Sequence, residues 1–529
     1  MPKLTINGKE IEVAAGTNLI EAAKQIATEI PHFCYHPGLS VAGNCRMCLV
    51  EIEKAPKLQI ACNTPVAEGM VVFTDSDKVK KARAGVMEFL LLNHPIDCPI
   101  CDCAGECYLQ DYYMDYDLKG SRLEEGKNKK EKAQDIGEHV MLDKERCVLC
   151  SRCVRFTDEV SKTHELGIFG RGSTEEIGLF PGTTLNNAYS GCVVDICPVG
   201  ALTDKDFRFK SRPWFLKETE TVCAGCAMGC NVVLNTNTNP YNKVGQLRSY
   251  RMFPRENAAV NQHWMCDEGR YSHKELDIAR KEKATLNGLP STLDYALAQA
   301  VADLQPLLAT PTKIAFLLSP QLTNEELFAY KWLAKELGVT QVEVGDDLKR
   351  TGSSDNYLIK ADKNPNSRGA EDQGLAPRSG VLGGKALLEK AAAGEFSAVL
   401  VIEQSLDAPQ AQAIAGKAKL IGLHAQLQAA DKSYHYAFAR AVYAEQDGTF
   451  TNIQGRVQRV RKAMDALGEG LNGWQFAFKL AQALGKTAPA KDSAGIFALL
   501  AKEAKGYSAL TWDGLGKQGA LAEGAQVAI

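Results

Sequence analysis

The sequence predicts a chain of several domains, α+β in its first half and α/β in its second. Three observations carry this. At 529 residues the chain is well past the size at which a single hydrophobic core stops growing. All 17 cysteines fall between Cys34 and Cys266, so two regions of different chemistry share one chain. After the last cysteine the pattern turns to short apolar runs alternating with helical ones, the texture of a parallel sheet layered with helices.

The elements follow in order. Residues 3–13, KLTINGKEIEV, alternate about Asn7-Gly8, a pair suited to a two-residue hairpin turn because both positions accept positive φ. Asn18 with Glu21 three residues on is the spacing of a capping box opening the helix NLIEAAKQIA. A hairpin, a helix and then a cysteine loop predict a small β-grasp domain ending near Thr74. Over residues 75–93, Val79, Ala82, Val86, Phe89 and Leu90 recur at helical spacing, and that helix delivers His94. The basic run KNKKEK at 127–132 reads as a solvated connector. KIAFLLS (313–319), TQVEVG (340–345), FSAVLVIE (396–403) and AKLIGLH (418–424) read as buried strands, with helices over 326–337 and 409–416 between them. The polar interval 346–380 reads as a surface excursion.

A net charge of −3 gives no general attraction to nucleic acid or anionic lipid. No stretch approaches the roughly 18 apolar residues of a membrane span. The opening MPKLTINGKE resembles neither a signal nor a transit peptide, so a soluble cytoplasmic bacterial chain is expected. In such a chain cysteines at close spacing are metal thiolates rather than a disulfide framework.

The thiols fall into four sets. Cys34, Cys45, Cys48 and Cys62 put three thiolates on one loop, with Gly38 and Gly43 letting backbone amides turn toward sulfur. This is the logic of a [2Fe–2S] site, and a zinc ribbon would show a second C-x2-C knuckle. His94, Cys98, Cys101 and Cys107 suit either a zinc site of three thiolates and one imidazole or a cluster in which imidazole replaces one thiolate. Cys147, Cys150 and Cys153, closed by Cys197 in DICPVGAL, have the run of a [4Fe–4S] site. Cys223, Cys226 and Cys230 with the remote Cys266 form a further set, for which a zinc site or an empty relic is the competing reading. Cys103 and Cys192 are left over as spare thiols.

HPIDCPICDCAGECYLQD, RCVLCSRCVRF, SGCVVDICPVGAL and VCAGCAMGCN, in this order over residues 1–275, resemble the large iron–sulfur subunits (G type) of bacterial NADH:quinone oxidoreductase, respiratory complex I. ADKNPNSRGAE (361–371) and GTFTNIQGRVQ (448–458) resemble the degenerate molybdopterin-oxidoreductase domain of those subunits. The resemblance implies one [2Fe–2S] cluster on the first set and [4Fe–4S] clusters on the second, third and fourth. The fourth is a cluster found only in some bacterial members and thought to lie off the main electron path. NTNTNPYNK (235–243) suggests an inserted loop before Cys266.

The domains expected on this basis are a β-grasp [2Fe–2S] ferredoxin domain at 1–78, a [4Fe–4S] segment with one histidine and three cysteine ligands at 79–118 and a ferredoxin-like [4Fe–4S] segment at 119–216. A molybdo-enzyme-type [4Fe–4S] segment at 217–275 and a cofactor-free α/β domain at 276–529 complete the chain. The implied function is electron transfer from the flavin of a partner NADH-oxidising subunit toward quinone, on the cytoplasmic side of the inner membrane, with membrane contact only through partners. No molybdopterin, FMN or NAD is expected in this chain. GEGLNG (468–473) and GLGKQG (514–519) match G-x-G-x-x-G formally; the first follows the helix-like RVQRVRKAMDAL and neither has a βαβ context. Competing readings are a molybdenum or tungsten formate dehydrogenase-type subunit, the diaphorase-side subunit of an NAD-linked hydrogenase, and a zinc-scaffolded interaction protein.

Overall fold

The computed structural model describes residues 1–117, 119–237, 248–345, 352–375 and 384–525. Two compact units form, Met1–Phe215 and Leu216–Ile529. In the first, β1 (Lys3–Ile6) and β2 (Lys9–Glu12) pair antiparallel across Asn7 and Gly8, whose φ angles of 48° and 79° are those of the expected turn. Helix α1 (Leu19–Gln25) is capped by Asn18, whose side chain accepts from Glu21 N at 3.0 Å. The capping box is only half formed. The Glu21 carboxylate accepts instead from the Tyr35 hydroxyl at 3.1 Å, tying the helix to the first cysteine loop. Strands β3 (Leu49–Ile52), β4 (Gln59–Ile60) and β5 (Met70–Phe73) complete a mixed sheet in the order β2-β1-β5-β3-β4, with β5 parallel to β1. Leu4, Ile6, Leu19, Ile20, Val50 and Val72 close its core.

Helix α2 (Asp77–Leu91) forms as expected but buries a different face. Its buried residues are Val79, Arg83 and Met87, whereas Phe89 is 78% exposed. Arg83 explains the rotation: its guanidinium donates to the Tyr116 hydroxyl at 2.9 Å and to Leu49 O at 3.0 Å. Helix α3 (Tyr108–Tyr116) follows, then β6 (Gln134–Asp135), β7 (Val140–Leu142), α4 (Arg152–Glu159) and the hairpin of β8 (Leu166–Phe169) with β9 (Glu176–Leu179). The short α5 (Cys192–Asp195) and β10 (Leu202–Asp204) end the unit, β10 pairing with β7.

Residues 127–132 are not a solvated connector. Lys127 Nζ donates to Leu91 O and His94 O, Lys130 Nζ to Glu175 O, and Lys132 Nζ contacts Asp97 and Glu145. The charges of this run are spent on backbone carbonyls and carboxylates of the cysteine loops.

The second unit opens with an antiparallel sheet of β11 (Lys217–Val222), β12 (Asn231–Thr236) and β13 (Ser249–Pro254), followed by α6 (Asp267–Tyr271). Then come the hairpin strands β14 (Ala284–Leu286) and β15 (Leu289–Ser291) and helix α7 (Leu293–Leu307). Next are β16 (Ile314–Leu318), α8 (Asn324–Leu337), β17 (Gln341–Val344), α9 (Ser367–Asp372) and α10 (Gly384–Ala393). They lead to β18 (Ala398–Ile402), α11 (Ala408–Ala415), β19 (Lys419–His424) and β20 (Tyr436–Ala439). A seven-stranded sheet runs β15-β14-β20-β19-β18-β16-β17, with every neighbour from β20 to β17 parallel. Alternate residues feed opposite cores: Phe316, Leu318, Leu400 and Ile402 enter one, Leu317, Val399 and Val401 the other. Continuous apolar strands are what a sheet covered on both faces demands.

Two expectations for this unit change. The helix-like RVQRVRKAMDAL begins with a strand, β22 (Arg456–Val460), antiparallel to β21 (Gly448–Thr451). Gly455 at φ 78° makes the turn between them, and Val457, Gln458 and Val460 are buried. Helices α12 (Gly473–Ala483) and α13 (Ser493–Glu503) and strand β23 (Ala520–Leu521) close the chain. The strand before GEGLNG is thus present but antiparallel, so a βαβ unit is still lacking. The interval 346–380 is in part interior: Lys363, Asn364, Asn366 and Asp372 are buried, and Asn366 Oδ1 accepts from Thr451 N at 2.8 Å. Residues 346–351 and 376–380 of that interval, and most of NTNTNPYNK, lie outside the described residues.

Candidate metal centres

Each of the four sets assembles in one place. In the first, Cys34 and Cys45 are hydrogen-bonded through their thiols, as are Cys48 and Cys62. Gly43 and Arg46, at φ 63° and 59°, bend the loop that carries Cys45 and Cys48. The thiol hydrogen bonds pull Cys34 down, to about 5, and lower Cys48. These are the thiols of the quartet that ionise first.

His94, Cys98, Cys101 and Cys107 line one cavity of about 730 Å³, together with Leu91, Leu109 and Tyr113. Burial holds the His94 imidazole down, to about 4, reinforced by the Lys127, Arg146 and Lys132 cations and opposed by Asp97. It is therefore neutral near pH 7, the form that binds a metal. Its Nδ1 is buried with no hydrogen-bond partner among the described residues. A buried nitrogen with no acceptor or donor is costly in a protein unless something else meets it. Cys103 is not a lining residue; its thiol is hydrogen-bonded to Cys107 from behind.

Cys147, Cys150, Cys153 and Cys197 line a cavity of about 350 Å³ walled by Leu142, Ile177, Val199 and Leu202. Leu149 and Ser151, at φ 51° and 60°, alternate with the cysteines, and Leu149 N donates to Cys147 Sγ at 3.3 Å. Non-glycine residues held left-handed cost energy that a site must repay. Here the return is amide hydrogens turned toward sulfur. Burial pushes Cys147 and Cys197 up to about 12 and raises Cys150 and Cys153. Without positive charge in the cavity these thiols stay protonated. A bound metal would have to expel the protons. Cys192 is wholly buried in α5 and away from this lining.

Cys223, Cys226, Cys230 and Cys266 line the fourth cavity, about 370 Å³, roofed by Leu358, Ile359 and Lys363 from the interval that reads as surface. Gly225 N and Gly269 N donate to Cys223 Sγ and Cys266 Sγ at 3.4 and 3.3 Å. Cys266 is pushed up to about 12 by burial. Among the described residues no group of three or more His, Cys, Asp or Glu closes on a single metal-ion position, and no cysteine is in a disulfide.

Sequence reasoning missed the residues that hold the loops in place. Arg155 Nη2 donates to Cys34 O at 2.5 Å and Cys150 O at 3.3 Å, joining the first loop to the third. Arg146 makes a two-pronged pair with Asp97, 2.9 and 2.7 Å, joining the second to the third. Gly200 lies so close to Cys101 that a Cβ there would be 2.3 Å from the sulfur. The arginines in RCVLCSRCVRF are visible in sequence, but nothing in their spacing says which carbonyls they reach.

Neutral imidazole and thiols gathered in four places, with amides aimed at several of the sulfurs, define an iron–sulfur protein of ferredoxin type. Family models agree: a 2Fe-2S iron-sulfur cluster binding domain matches residues 2–77, the NADH-ubiquinone oxidoreductase-G iron-sulfur binding region matches 83–122, and the NADH-quinone oxidoreductase subunit 3 ferredoxin-like domain matches 137–203. The chain is a homologue of the G-type subunit of NADH-quinone oxidoreductase. It is 39% identical to that subunit from Rickettsia felis over 363 residues, 68% of this chain and 53% of the relative. The Rickettsia bellii subunit is 40% identical over 365 residues, covering 68% and 52%. The mitochondrial 78 kDa subunit of NADH-ubiquinone oxidoreductase from Candida albicans is 37% identical over 365 residues, covering 68% and 49%. The chain thus spans about half the length of the curated relatives it matches. A solved NAD+-reducing [NiFe]-hydrogenase chain is 28% identical, with 40% of this chain and 90% of that chain covered, at a TM-score of 0.36. So loose a superposition decides nothing about this fold.

Proposed function

We propose that this chain is an electron-carrying subunit of respiratory complex I, taking electrons from the flavin of a partner NADH-oxidising subunit and passing them toward quinone. The observation that supports it is the convergence of each spacing-defined ligand set in its own place, in a chain homologous to the G-type subunit. Cys34, Cys45, Cys48 and Cys62 would hold a [2Fe–2S] cluster. His94, Cys98, Cys101 and Cys107; Cys147, Cys150, Cys153 and Cys197; and Cys223, Cys226, Cys230 and Cys266 would each hold a [4Fe–4S] cluster. When bound, these groups supply one-electron redox chemistry at potentials set by charge, hydrogen bonds to sulfur and exposure. The protein's part is to bury the thiols, exclude water with apolar walls and aim amide hydrogens at sulfur.

The domain boundaries proposed are 1–78, 79–118, 119–216, 217–275 and 276–529. The last is read as a molybdopterin-oxidoreductase-like α/β domain with structural duty, binding no molybdopterin, FMN or NAD. The chain would sit at the cytoplasmic face of the bacterial inner membrane among other peripheral-arm subunits; no helix among the described residues is long and apolar enough to cross a membrane. Metal analysis of anaerobically purified protein tests the reading. About 14 irons per chain are expected, with low-temperature EPR resolving one two-iron and three four-iron clusters. Stoichiometric zinc in place of iron would refute it, and molybdenum or tungsten with a pterin would revive a dehydrogenase function.

A further inference from the structure

Helix α2 ends at Leu91 with no basic residue of its own in the final turn. Helix C-termini commonly recruit a cation to their last carbonyls. Here the cation comes from 36 residues away: Lys127 Nζ donates to Leu91 O at 2.8 Å and to His94 O at 2.7 Å. The next residue adds a second tie, Asn128 N to Asn93 Oδ1 at 3.0 Å, and Lys132 Nζ reaches Asp97 Oδ2 at 3.1 Å. Three residues of one short stretch thus hold four residues of the segment 91–97. The His94 ring has no protein partner on Nδ1 among the described residues, so its direction depends on how firmly its main chain is fixed.

We propose that Lys127 is a positioning residue for the His94 site, clamping the main chain that presents the imidazole and placing a fixed positive charge beside the cluster pocket. The inference rests on the reading of His94 as an iron ligand. A cation held near a redox centre favours the added electron, so Lys127 raises the reduction potential there. The groups facing the imidazole are Lys127, Arg146 and Lys132 on the positive side and Asp97 on the negative. Of the three cations, Lys127 is the one bonded to the His94 main chain. Arg146 and Lys132 are each paired with Asp97.

The test uses the full chain purified anaerobically, with two readouts on the His94 cluster: the imidazole nitrogen coupling in pulsed EPR and the midpoint potential by titration. Lys127→Met should weaken the nitrogen coupling and shift that cluster's potential downward, leaving the other clusters in place. Lys127→Arg, which keeps charge and donors, should restore both. Should the Met variant not accumulate, Lys127→Gln is judged by the same readouts. Wild-type coupling and potential in the uncharged variant, or failure of the Arg variant to rescue, overturns the role of Lys127. His94→Ala separates the two levels: it should abolish the nitrogen coupling, and a wild-type protein lacking that coupling from the start overturns the ligand assignment instead.

Discussion

Gly200→Ala should strip one cluster while sparing the one beside it. Gly200 stands three residues after Cys197, in the segment that closes the third set, yet its added Cβ would lie 2.3 Å from Cys101 Sγ of the second set and 3.1 Å from Cys103 Cβ. Non-bonded heavy atoms rest at roughly 3.5–4 Å, so backbone or sulfur must give by more than about 1 Å. The backbone at Gly200 is not left-handed, which makes these neighbours, and the sulfur above all, the obstacle to alanine. Metal–ligand distances hold to about 0.2 Å, several times less than the displacement required. The packing penalty itself is about 1–3 kcal/mol, too little to unfold a chain of this size but enough to misplace a ligand. Iron analysis and low-temperature EPR of the anaerobic protein should show a loss of about four irons, all from the His94 set, with the Cys147 signals unchanged. Gly225→Ala is the control, since its Cβ would meet Cys223 Sγ at an ordinary 3.4 Å. Full iron and unaltered spectra in Gly200→Ala would show that Cys101 is not held where a ligand must be.

Cys266→Ala should also lower iron by about four, while NADH-to-quinone electron flow in the assembled complex survives; loss of turnover with assembly intact would put that cluster on the main path. His424 is fully buried with neither ring nitrogen partnered among the described residues, and burial holds it down, to about 3. Its folded value lies below the unfolded one, so stability is whole above pH 6.5 and falls as pH drops toward 3, by up to roughly 4 kcal/mol. His424→Leu should flatten this acid limb in urea titrations at stepped pH. Arg440 and Glu326 form a buried two-pronged pair at 3.0 and 2.7 Å. Arg440→Met, by leaving the carboxylate unpaired, should cost about 3–5 kcal/mol, read as a lowered thermal midpoint of the full chain; an unchanged midpoint would mean the pair contributes nothing net.

What could be read from sequence was whatever is encoded locally. Asn7-Gly8 makes its own turn, C-x2-C-x2-C brings its own thiols together, and IAFLL or AVLVI can only be strands covered on both faces. What could not be read depended on a distant partner. Phe89 fits an apolar stripe on α2, but Arg83 turns the helix to reach Tyr116 and Leu49 and leaves the phenyl ring outside. RVQRV carries good helix formers; only pairing with GTFT across the Gly455 turn makes it a strand. KNKKEK looks solvated because charge runs usually are, and nothing in the run names the carbonyls it binds.

Those carbonyls explain how the ligand loops hold their shape. Arg155 binds Ser40 O, Cys34 O and Cys150 O. Arg152 binds Tyr35 O and Ile196 O, the latter at 3.0 Å. Arg212 binds Cys101 O at 2.5 Å and Pro99 O at 2.9 Å. In a trans peptide the C=O and the N–H point in opposite directions. A cation that draws a loop carbonyl outward therefore fixes the orientation of that whole peptide plane, including the amide on its far side. Loops that bring several thiolates together should repel one another, and a carbonyl lining would add to that repulsion. Drawing carbonyls toward guanidinium and ammonium groups relieves both problems with neutral-to-positive surroundings. The arginines and Lys127 thus matter to the clusters without touching sulfur. A conservative Arg155→Lys, which keeps charge but loses the planar fork, should cost more iron in the first and third sets than in the fourth, where no such residue contacts a ligand carbonyl among the hydrogen bonds described.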